Sequence, residues 1–134
     1  MRLAVVGTRT FERADLVDTH LDRWRETHAD LVVVSGGAMG ADRLAASYAK
    51  RHNLPLIQYR ADWARHGRRA GALRNKQIVD NADAVIAFWD EQSPGTRITL
   101  DMAARSGIPA TVITPEGVEY AFDPASPDTL SLLG

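Results

Sequence analysis

The residues best suited to chemistry lie in two glycine-bearing turns, each directly after a short apolar run. Residues 32–34 lead into Ser-Gly-Gly-Ala-Met-Gly-Ala-Asp at 35–42, and residues 84–88 lead into Trp-Asp-Glu-Gln-Ser-Pro-Gly-Thr at 89–96. Glycine removes the Cβ that would hold a ligand away from the backbone, and the first turn of a helix carries N–H groups without intrahelical acceptors. A buried strand, a glycine turn and a helix start form an anion site in α/β proteins. Two such turns in one sheet predict one phosphate-bearing ligand held from two sides.

The first turn offers five candidate ligand-binding residues: Ser35, Gly36, Gly37, Gly40 and Asp42. They would cradle a phosphate or a ribose, although a strand-to-helix turn that needs positive φ explains the glycines equally well. Ser35 occupies the place of the first glycine of a dinucleotide fingerprint, and no Gly-Lys-Ser/Thr follows to make a P-loop. Because a carboxylate in the first helical turn suits the helix dipole but repels a phosphate, we expect Asp42 to brace the turn or bind a ribose hydroxyl.

Residues after the fourth and first predicted strands supply the other side of the expected site. Gly95 and Thr96 stand at a predicted helix start. The hydroxyl of Thr96 either caps that helix or holds a phosphate with the neighbouring N–H groups. Gly7 and Arg9 follow the first strand, which is expected to be central in the sheet. Arg9 is suited to bidentate phosphate contact, and the alternative is a solvent-facing turn residue.

One segment concentrates positive charge, in Arg65, His66, Arg68, Arg69, Arg74 and Lys76. Such runs are usually solvated surface. Arg74, followed by Asn75, lies near a predicted helix start and is the candidate for a ligand-binding or catalytic role. Trp63 and Trp89 both fall in loops at the predicted ligand edge, where either would stack on a base. Trp63 would equally serve to pin its loop to the body of the domain.

Composition restricts the class of protein and the kind of site. The chain has 134 residues, enough for one domain, and its formal net charge of -1 gives no general attraction to nucleic acid. It contains no cysteine, and its four histidines show no metal-ligand spacing, so we expect neither a metal nor a cofactor. No apolar run approaches the roughly 20 residues of a membrane helix, and the chain opens on a strand-like run rather than a signal peptide. We expect a cytoplasmic protein without a membrane partner.

Strand-like and helix-like segments alternate along the chain and predict the elements that position these turns. Apolar runs predict strands at about residues 3–6, 31–34, 55–59, 84–88 and 110–113. Buried strands joined by helices form a parallel sheet covered on both faces. The predicted fold class is α/β, a three-layer sandwich with a mainly parallel sheet of about five to six strands in residues 1–116. The pattern then fails, so residues 117–134 are predicted to be a C-terminal tail packed loosely on the domain or on a partner.

The order and spacing of these motifs resemble the SLOG superfamily over about residues 3–114. Within it, the chain is most similar to the YspA- or cpYpsA-related branch, common in phages and actinobacteria. The resemblance implies a Rossmann-like domain that binds a nucleotide or nucleotide-derived ligand, often as a dimer. The motifs that carry it are Gly7-x-Arg9, Ser35-Gly36-Gly37-Ala38-x-Gly40-Ala41-Asp42, Ala61-Asp62-Trp63, Ala70-Gly71-x-x-Arg74-Asn75, Ala82-Asp83 with the strand that follows, and Gly95-Thr96.

Three functions follow as expectations. The first is a sensor or ligand-binding protein for a nucleotide-derived small molecule. The second is a nucleotide N-glycosidase similar to the superfamily's phosphoribohydrolases, in which Arg74 matches the family arginine. That branch also uses a glutamate where this chain has Thr99, and nothing selects a substitute among Asp62, Asp90, Glu91 and Asp101. The third is single-stranded nucleic-acid binding through residues 65–76 with Trp63, which the near-neutral charge disfavours.

Overall fold

The computed structural model, which describes residues 1–124, contains a sheet of six strands. Their bounds are β1 (Arg2–Gly7), β2 (Val32–Ser35), β3 (Leu56–Gln58), β4 (Ala84–Phe88), β5 (Ala110–Ile113) and β6 (Glu119–Ala121). The strand order is β3-β2-β1-β4-β5-β6. β1 to β5 are parallel, and β6 runs antiparallel to β5. The predicted α/β class with a mainly parallel sheet of five to six strands is confirmed.

Helices connect the parallel strands on both faces of the sheet. They are α1 (Ala14–Thr27), α2 (Ala41–Arg51), α3 (Trp63–His66), α4 (Ala70–Asp80) and α5 (Pro94–Arg105). A single 3-10 turn, Gly67–Arg69, joins α3 to α4. The connection between β3 and α4 therefore contains two short helical turns.

The central strand β1 divides its side chains between two hydrophobic clusters. Leu3 and Val5 are fully buried on the face covered by α1 and α2. Ala4 and Val6 point to the opposite face, which α4 and α5 cover. Burying a Leu or Val side chain contributes roughly 1.5–3 kcal/mol each. Because both faces of β1 are buried, the strand reads as an uninterrupted apolar run.

The strand order reverses beside β1, and this reversal positions the site. From β1 the chain builds outward through β2 to β3, then returns to place β4 on the other side of β1. The connections leaving β1 and β4 diverge to opposite faces, so a crevice opens at the carboxyl ends of these two strands. Both glycine-bearing turns lie at this edge.

The sheet continues past residue 116, where the sequence pattern places the end of the domain. β6 pairs with β5 through Thr111–Ala121, Val112–Tyr120 and Ile113–Glu119. Tyr120 and Phe122 pack against the cluster under α4 and α5. The prediction of a loose tail is therefore wrong for residues 117–122, because three residues are too few for a strand period to be read. The rest of that predicted tail, residues 125–134, lies outside the described residues.

Candidate functional site

A cleft of about 900 Å³ opens at the carboxyl edge of the sheet, where the loops after β1, β2, β3 and β4 meet. Its size suits a small-molecule ligand. The structure brings together there most of the residues predicted from sequence: Gly7, Arg9, Gly36, Gly37, Asp42, Trp63, Arg74, Asn75, Gly95 and Thr96. Ser35, Gly40 and Trp89 are not among the lining residues.

The glycine turn after β2 uses its own N–H groups internally. The N–H of Gly37 donates to Ser35 Oγ at 3.2 Å, and the N–H of Ala38 donates to Asp42 Oδ2 at 3.1 Å. Ser35 is buried beneath the turn, and Asp42 is 7% exposed. The turn is thus braced by two side chains, and these N–H groups do not form an open phosphate cradle.

Gly40 does not line the cleft, but its lack of a side chain lets the start of α2 pack against the loop after β1. Its φ is +70°, and a Cβ there would stand 2.3 Å from the carbonyl oxygen of Thr8 and 2.4 Å from that of Arg9. Only a residue without a side chain allows this approach. The start of α2 therefore docks directly against the loop after β1, where the N–H of Ala41 donates to Thr8 O at 3.3 Å.

Arg74 reaches from α4 across the cleft to the glycine turn. Its Nη1 donates to the carbonyl of Gly36 at 3.1 Å, and its Nε donates to Asn75 Oδ1 at 3.0 Å. A Cβ on residue 36 would lie 2.6 Å from Nη1. No carboxylate of residues 1–124 makes an ion pair with Arg74. The half-buried guanidinium therefore keeps its charge available to a ligand.

Arg60 is a lining residue that the sequence reading missed. It follows β3, and its side chain lies over Gly37, where a Cβ would meet Arg60 Cγ at 3.4 Å. Like Arg9, it has no ion-pair partner among the described residues. Its place after a parallel strand is the signal that marks it, because all such strand ends meet at one edge.

Asp42 is a buried carboxyl at the base of the cleft. Burial raises its pKa above the ordinary value, while the N–H of Ala38 and the charge of Arg74 oppose that rise. Asp42 braces the turn, as the first of its two predicted roles requires. Since it also lines the cleft, its ionised form would repel an anionic ligand.

In the first turn of α5, the N–H groups of Gly95 and Thr96 have no hydrogen-bond acceptor among residues 1–124. Ser93 is the N-cap residue, Pro94 follows it, and the first turn contains no acidic side chain. The predicted cap at Thr96 is wrong, because Thr96 lies inside the helix. Gly95 and Thr96 line the cleft, and N–H groups at these positions lack intrahelical acceptors. Of the two predicted turns, this is the one whose helix start leaves N–H groups open to the cleft.

A polar network that the sequence reading missed supports this turn. Asp90 Oδ1 accepts hydrogen bonds from the N–H groups of Gln92 and Ser93 at 2.9 and 2.8 Å. The Ser93 hydroxyl lies 2.9 Å from Asp90 Oδ1 and 3.2 Å from Thr8 Oγ1. Burial raises the pKa of Asp90, but these hydrogen bonds outweigh it and the net pKa is lowered. Asp90 is therefore an ionised brace for the loop.

The two candidate tryptophans lie in different environments. Trp63 is 60% exposed at the start of α3 and lines the cleft. Trp89 is 5% exposed in the core, and its Nε1 donates to the carbonyl of Ser93 at 3.0 Å. Trp89 therefore anchors the loop rather than presenting a ring at the ligand edge. The basic residues of the segment after Trp63 are exposed, apart from the half-buried Arg74.

Across residues 1–124, no cluster of three or more acidic or histidine side chains is arranged to hold a metal ion. The helices described there include none with the length and hydropathy needed to cross a bilayer.

Comparison with known proteins identifies the family. The model of the YspA, cpYpsA-related SLOG family matches residues 1–66. The Gene 61 protein of Mycobacterium phage D29 is 37% identical over 115 residues, which cover 81% of this chain and 92% of the phage protein. The chain belongs to the YspA, cpYpsA-related SLOG family. The predicted resemblance is thus confirmed.

Solved structures similar to this SLOG chain share its fold. DNA processing protein A from Helicobacter pylori, described for its single-stranded DNA binding mode, superposes with a TM-score of 0.66 at 20% identity over 84% of this chain. DNA processing protein A from Streptococcus pneumoniae gives 0.68 at 21% identity over 83% of this chain. The chain spans 64% and 49% of their lengths. At this identity the likeness concerns the fold.

This SLOG chain departs from the phosphoribohydrolase pattern inside the cleft. Thr99 stands where that branch has its glutamate, and its hydroxyl donates to the carbonyl of Gly95 at 3.2 Å. Among the four acids considered as substitutes, Asp90 lines the cleft, and its carboxylate braces its own loop. Thr99 therefore supplies no carboxylate at that position, and the Asp90 carboxylate is held by its own loop.

Proposed function

We propose that the protein binds a nucleotide or a nucleotide-derived small molecule in the cleft at the carboxyl edge of the sheet, as a sensor or ligand-binding protein. The observation that carries the proposal is the charge balance of the cleft. Arg9, Arg60 and Arg74 line it without ion-pair partners among residues 1–124, against the carboxyls of Asp42 and Asp90. Guanidinium groups in a partly buried cleft are suited to phosphate.

The other features of the cleft support the same ligand class. The N–H groups of Gly95 and Thr96 add an anion site at the start of α5. Trp63 offers an exposed ring on which a base would stack. Phosphate and base would thus be recognised at separate places within one cleft.

A thermal-shift screen tests the proposal with mononucleotides, dinucleotides, ADP-ribose and cyclic nucleotides. A ligand in excess of its dissociation constant stabilises the native state, by roughly 2.7 kcal/mol at a hundredfold excess. We expect at least one compound to raise the melting temperature, and Arg74→Ala to abolish the shift. Arg68→Ala, an exposed arginine outside the lining residues, is the matched control. No shift with any compound at millimolar concentration would contradict the proposal.

Hydrolysis of an N-glycosidic bond is the alternative for this cleft, with Arg74 in the catalytic role. It is tested by incubating the protein with nucleoside monophosphates and measuring the free base. Binding without base release supports the sensor. Base release that Arg74→Ala abolishes would replace the sensor with the enzyme.

Single-stranded nucleic acid is a second candidate partner, favoured by Trp63 beside exposed basic residues at the rim of the cleft. Arg65, Arg68 and Arg69 are all exposed within seven residues of it. Such binding would be strongly salt-dependent. A fluorescence-anisotropy titration with a labelled oligonucleotide at two salt concentrations tests it, and binding that is absent or insensitive to salt would remove this candidate.

We also propose that the protein is a cytoplasmic homodimer, and the dimer is what the SLOG resemblance implies. Light scattering behind size-exclusion chromatography measures the molar mass directly. Twice the mass of the 14.7 kDa chain is expected. A single-chain mass at micromolar concentration would contradict the dimer without affecting the ligand proposal.

A further inference from the structure

Two anion positions face each other across the end of β1. We propose that the ligand carries two linked phosphates, so that it is a nucleoside diphosphate or a diphosphate-linked derivative rather than a monophosphate. This inference rests on the proposed function and specifies its ligand. The first phosphate lies at the start of α5, and the second lies between Arg60 and Arg74.

The first position is defined by Thr96 and the backbone beside it. The Thr96 side chain is 6% exposed and lines the cleft, and its hydroxyl has no hydrogen-bond partner among residues 1–124. No side-chain nitrogen or oxygen of residues 1–124 is both fully buried and without a partner, so this hydroxyl is open to the cleft. Together with the N–H groups of Gly95 and Thr96, this hydroxyl forms a donor set for one phosphate. The first turn of α5 carries no acidic residue of its own, and the Asp90 carboxylate before the helix is bound by the N–H groups of Gln92 and Ser93.

The second position is defined by two guanidinium groups over two glycines. Arg74 crosses from α4 to contact the carbonyl of Gly36, and Arg60 comes from the end of β3 to lie over Gly37. The two arginines approach the same turn from different elements. Since neither is paired with a carboxylate of the described chain, an anion between them would gain from both charges.

The start of α2 itself is not an anion position. Asp42 accepts the N–H of Ala38, and Ser35 accepts the N–H of Gly37. A phosphate there would meet the Asp42 carboxylate, and the N–H groups of Gly37, Ala38 and Ala41 already donate to protein oxygens. Recognition on this side of the cleft therefore falls to the two arginines.

The spacing of the two positions favours linked phosphates. β2 and β4 both neighbour β1, so the ends of these two strands are two strand spacings, or about 10 Å, apart. A ligand that contacts both sides of β1 must therefore span more than the oxygens of a single phosphate, and a P–O–P unit supplies that length. The diphosphate would lie over the end of β1, where Gly7 and Arg9 line the cleft.

Isothermal titration calorimetry at constant ionic strength tests the inference, with the mono- and diphosphates of adenosine, guanosine, cytidine and uridine. A charge-assisted contact changes affinity by roughly tenfold or more. We expect the diphosphate of the preferred base to bind about tenfold more tightly than its monophosphate. Arg60→Ala should remove that advantage and leave the monophosphate affinity nearly unchanged. Thr96→Val should weaken both ligands.

Control variants distinguish failure of the diphosphate inference from failure of the proposed nucleotide binding. Arg68→Ala removes an exposed arginine outside the cleft and should leave both affinities unchanged. Arg60→Lys keeps the positive charge at residue 60 and should retain part of the diphosphate's advantage in affinity. Equal affinities for both ligands, or an Arg60→Ala variant that weakens both equally, would overturn the diphosphate. Tight binding of monophosphates would then leave the proposed function standing. Failure of every nucleotide to bind would overturn both.

Discussion

The guanidinium of Arg74 lies directly on Gly36. Nη1 donates to the Gly36 carbonyl at 3.1 Å, and a Cβ at residue 36 would come within 2.6 Å of the same nitrogen. This contact joins α4 to the turn after β2. Residue 36 therefore accommodates no side chain unless the arginine moves.

Gly36→Ala should weaken ligand binding more than it weakens the fold. Gly36 has no positive φ, so alanine is compatible with its backbone, and the cost falls on the position of Arg74. We expect nucleotide affinity to fall about tenfold, as for the loss of one charge-assisted contact. Calorimetry measures the affinity, and thermal denaturation measures the stability.

Gly71→Ala is the matched control for this substitution. Its Cβ would make an ordinary 3.4 Å contact with the edge of Trp63, and alanine is favoured over glycine inside a helix by about 1 kcal/mol. We expect unchanged affinity and equal or higher stability. A Gly36→Ala variant that binds as well as this control would show that Arg74 acts from another position.

Asp42→Asn should change how ligand affinity depends on pH. Burial holds the pKa of Asp42 above its usual value, so the carboxyl takes up its proton as the pH falls toward that raised pKa. Removing its negative charge removes repulsion of the phosphate, and affinity should rise as the pH falls. The asparagine variant should bind more tightly near neutral pH and show a flatter profile. ADP-ribose is a suitable probe because each of its phosphates carries one ester and one anhydride bond and has no ionisation that titrates in this range. Parallel pH profiles for the wild type and the variant would exclude a role for Asp42.

His20 should make the folded state sensitive to mild acid. Burial lowers the pKa of this histidine, with Arg23 adding to the effect and Glu119 opposing it. Since the folded-state pKa lies below the unfolded value, the unfolded chain binds the proton more readily, and stability falls as the pH drops below about 6.5. Urea denaturation at neutral pH and at about pH 5 should show a smaller loss for His20→Leu than for the wild type. An identical loss in both proteins would assign the acid sensitivity to other groups.

Trp63→Ala should affect recognition of the base but not of the phosphates. Stacking of a base on an exposed aromatic ring is worth about 1–3 kcal/mol. We therefore expect the variant to bind nucleotides more weakly and to bind inorganic pyrophosphate as well as the wild type does. Competition calorimetry compares the two ligands. Equal losses of affinity for both ligands would mean that Trp63 maintains the structure of the cleft rim and does not stack on the base.

The framework of the fold was predictable because its strands are buried on both faces. β1, β2, β4 and β5 read as apolar runs, and their order along the chain left few arrangements of a parallel sheet. β6 was not predicted from the sequence because it is only three residues long. It is held in place by Tyr120 and Phe122, which pack against the hydrophobic cluster under α4 and α5. Its place in the sheet comes from tertiary contact rather than from a local pattern.

The site was predictable in outline for a similar reason. Residues that follow parallel strands meet at one edge, which placed Gly7, Arg9 and Gly95 together. The direction of individual N–H groups and side chains does not follow from that rule. Ser35 turned inward to accept a hydrogen bond, and Trp89 turned into the core, because the surrounding packing offered each a partner.

The cleft is shared between two segments of the chain that meet along the β1–β4 ladder. Residues 1–66 supply Arg9, Gly36 and Arg60, whereas residues after the Gly67–Arg69 turn supply Arg74 and the start of α5. That connecting turn has no buried residue. A chain cleaved there would carry half of the cleft on each fragment. A ligand that contacts both halves would then stabilise the association of the two fragments. The architecture thus lends itself to a two-piece reporter, in which reassembly signals the ligand.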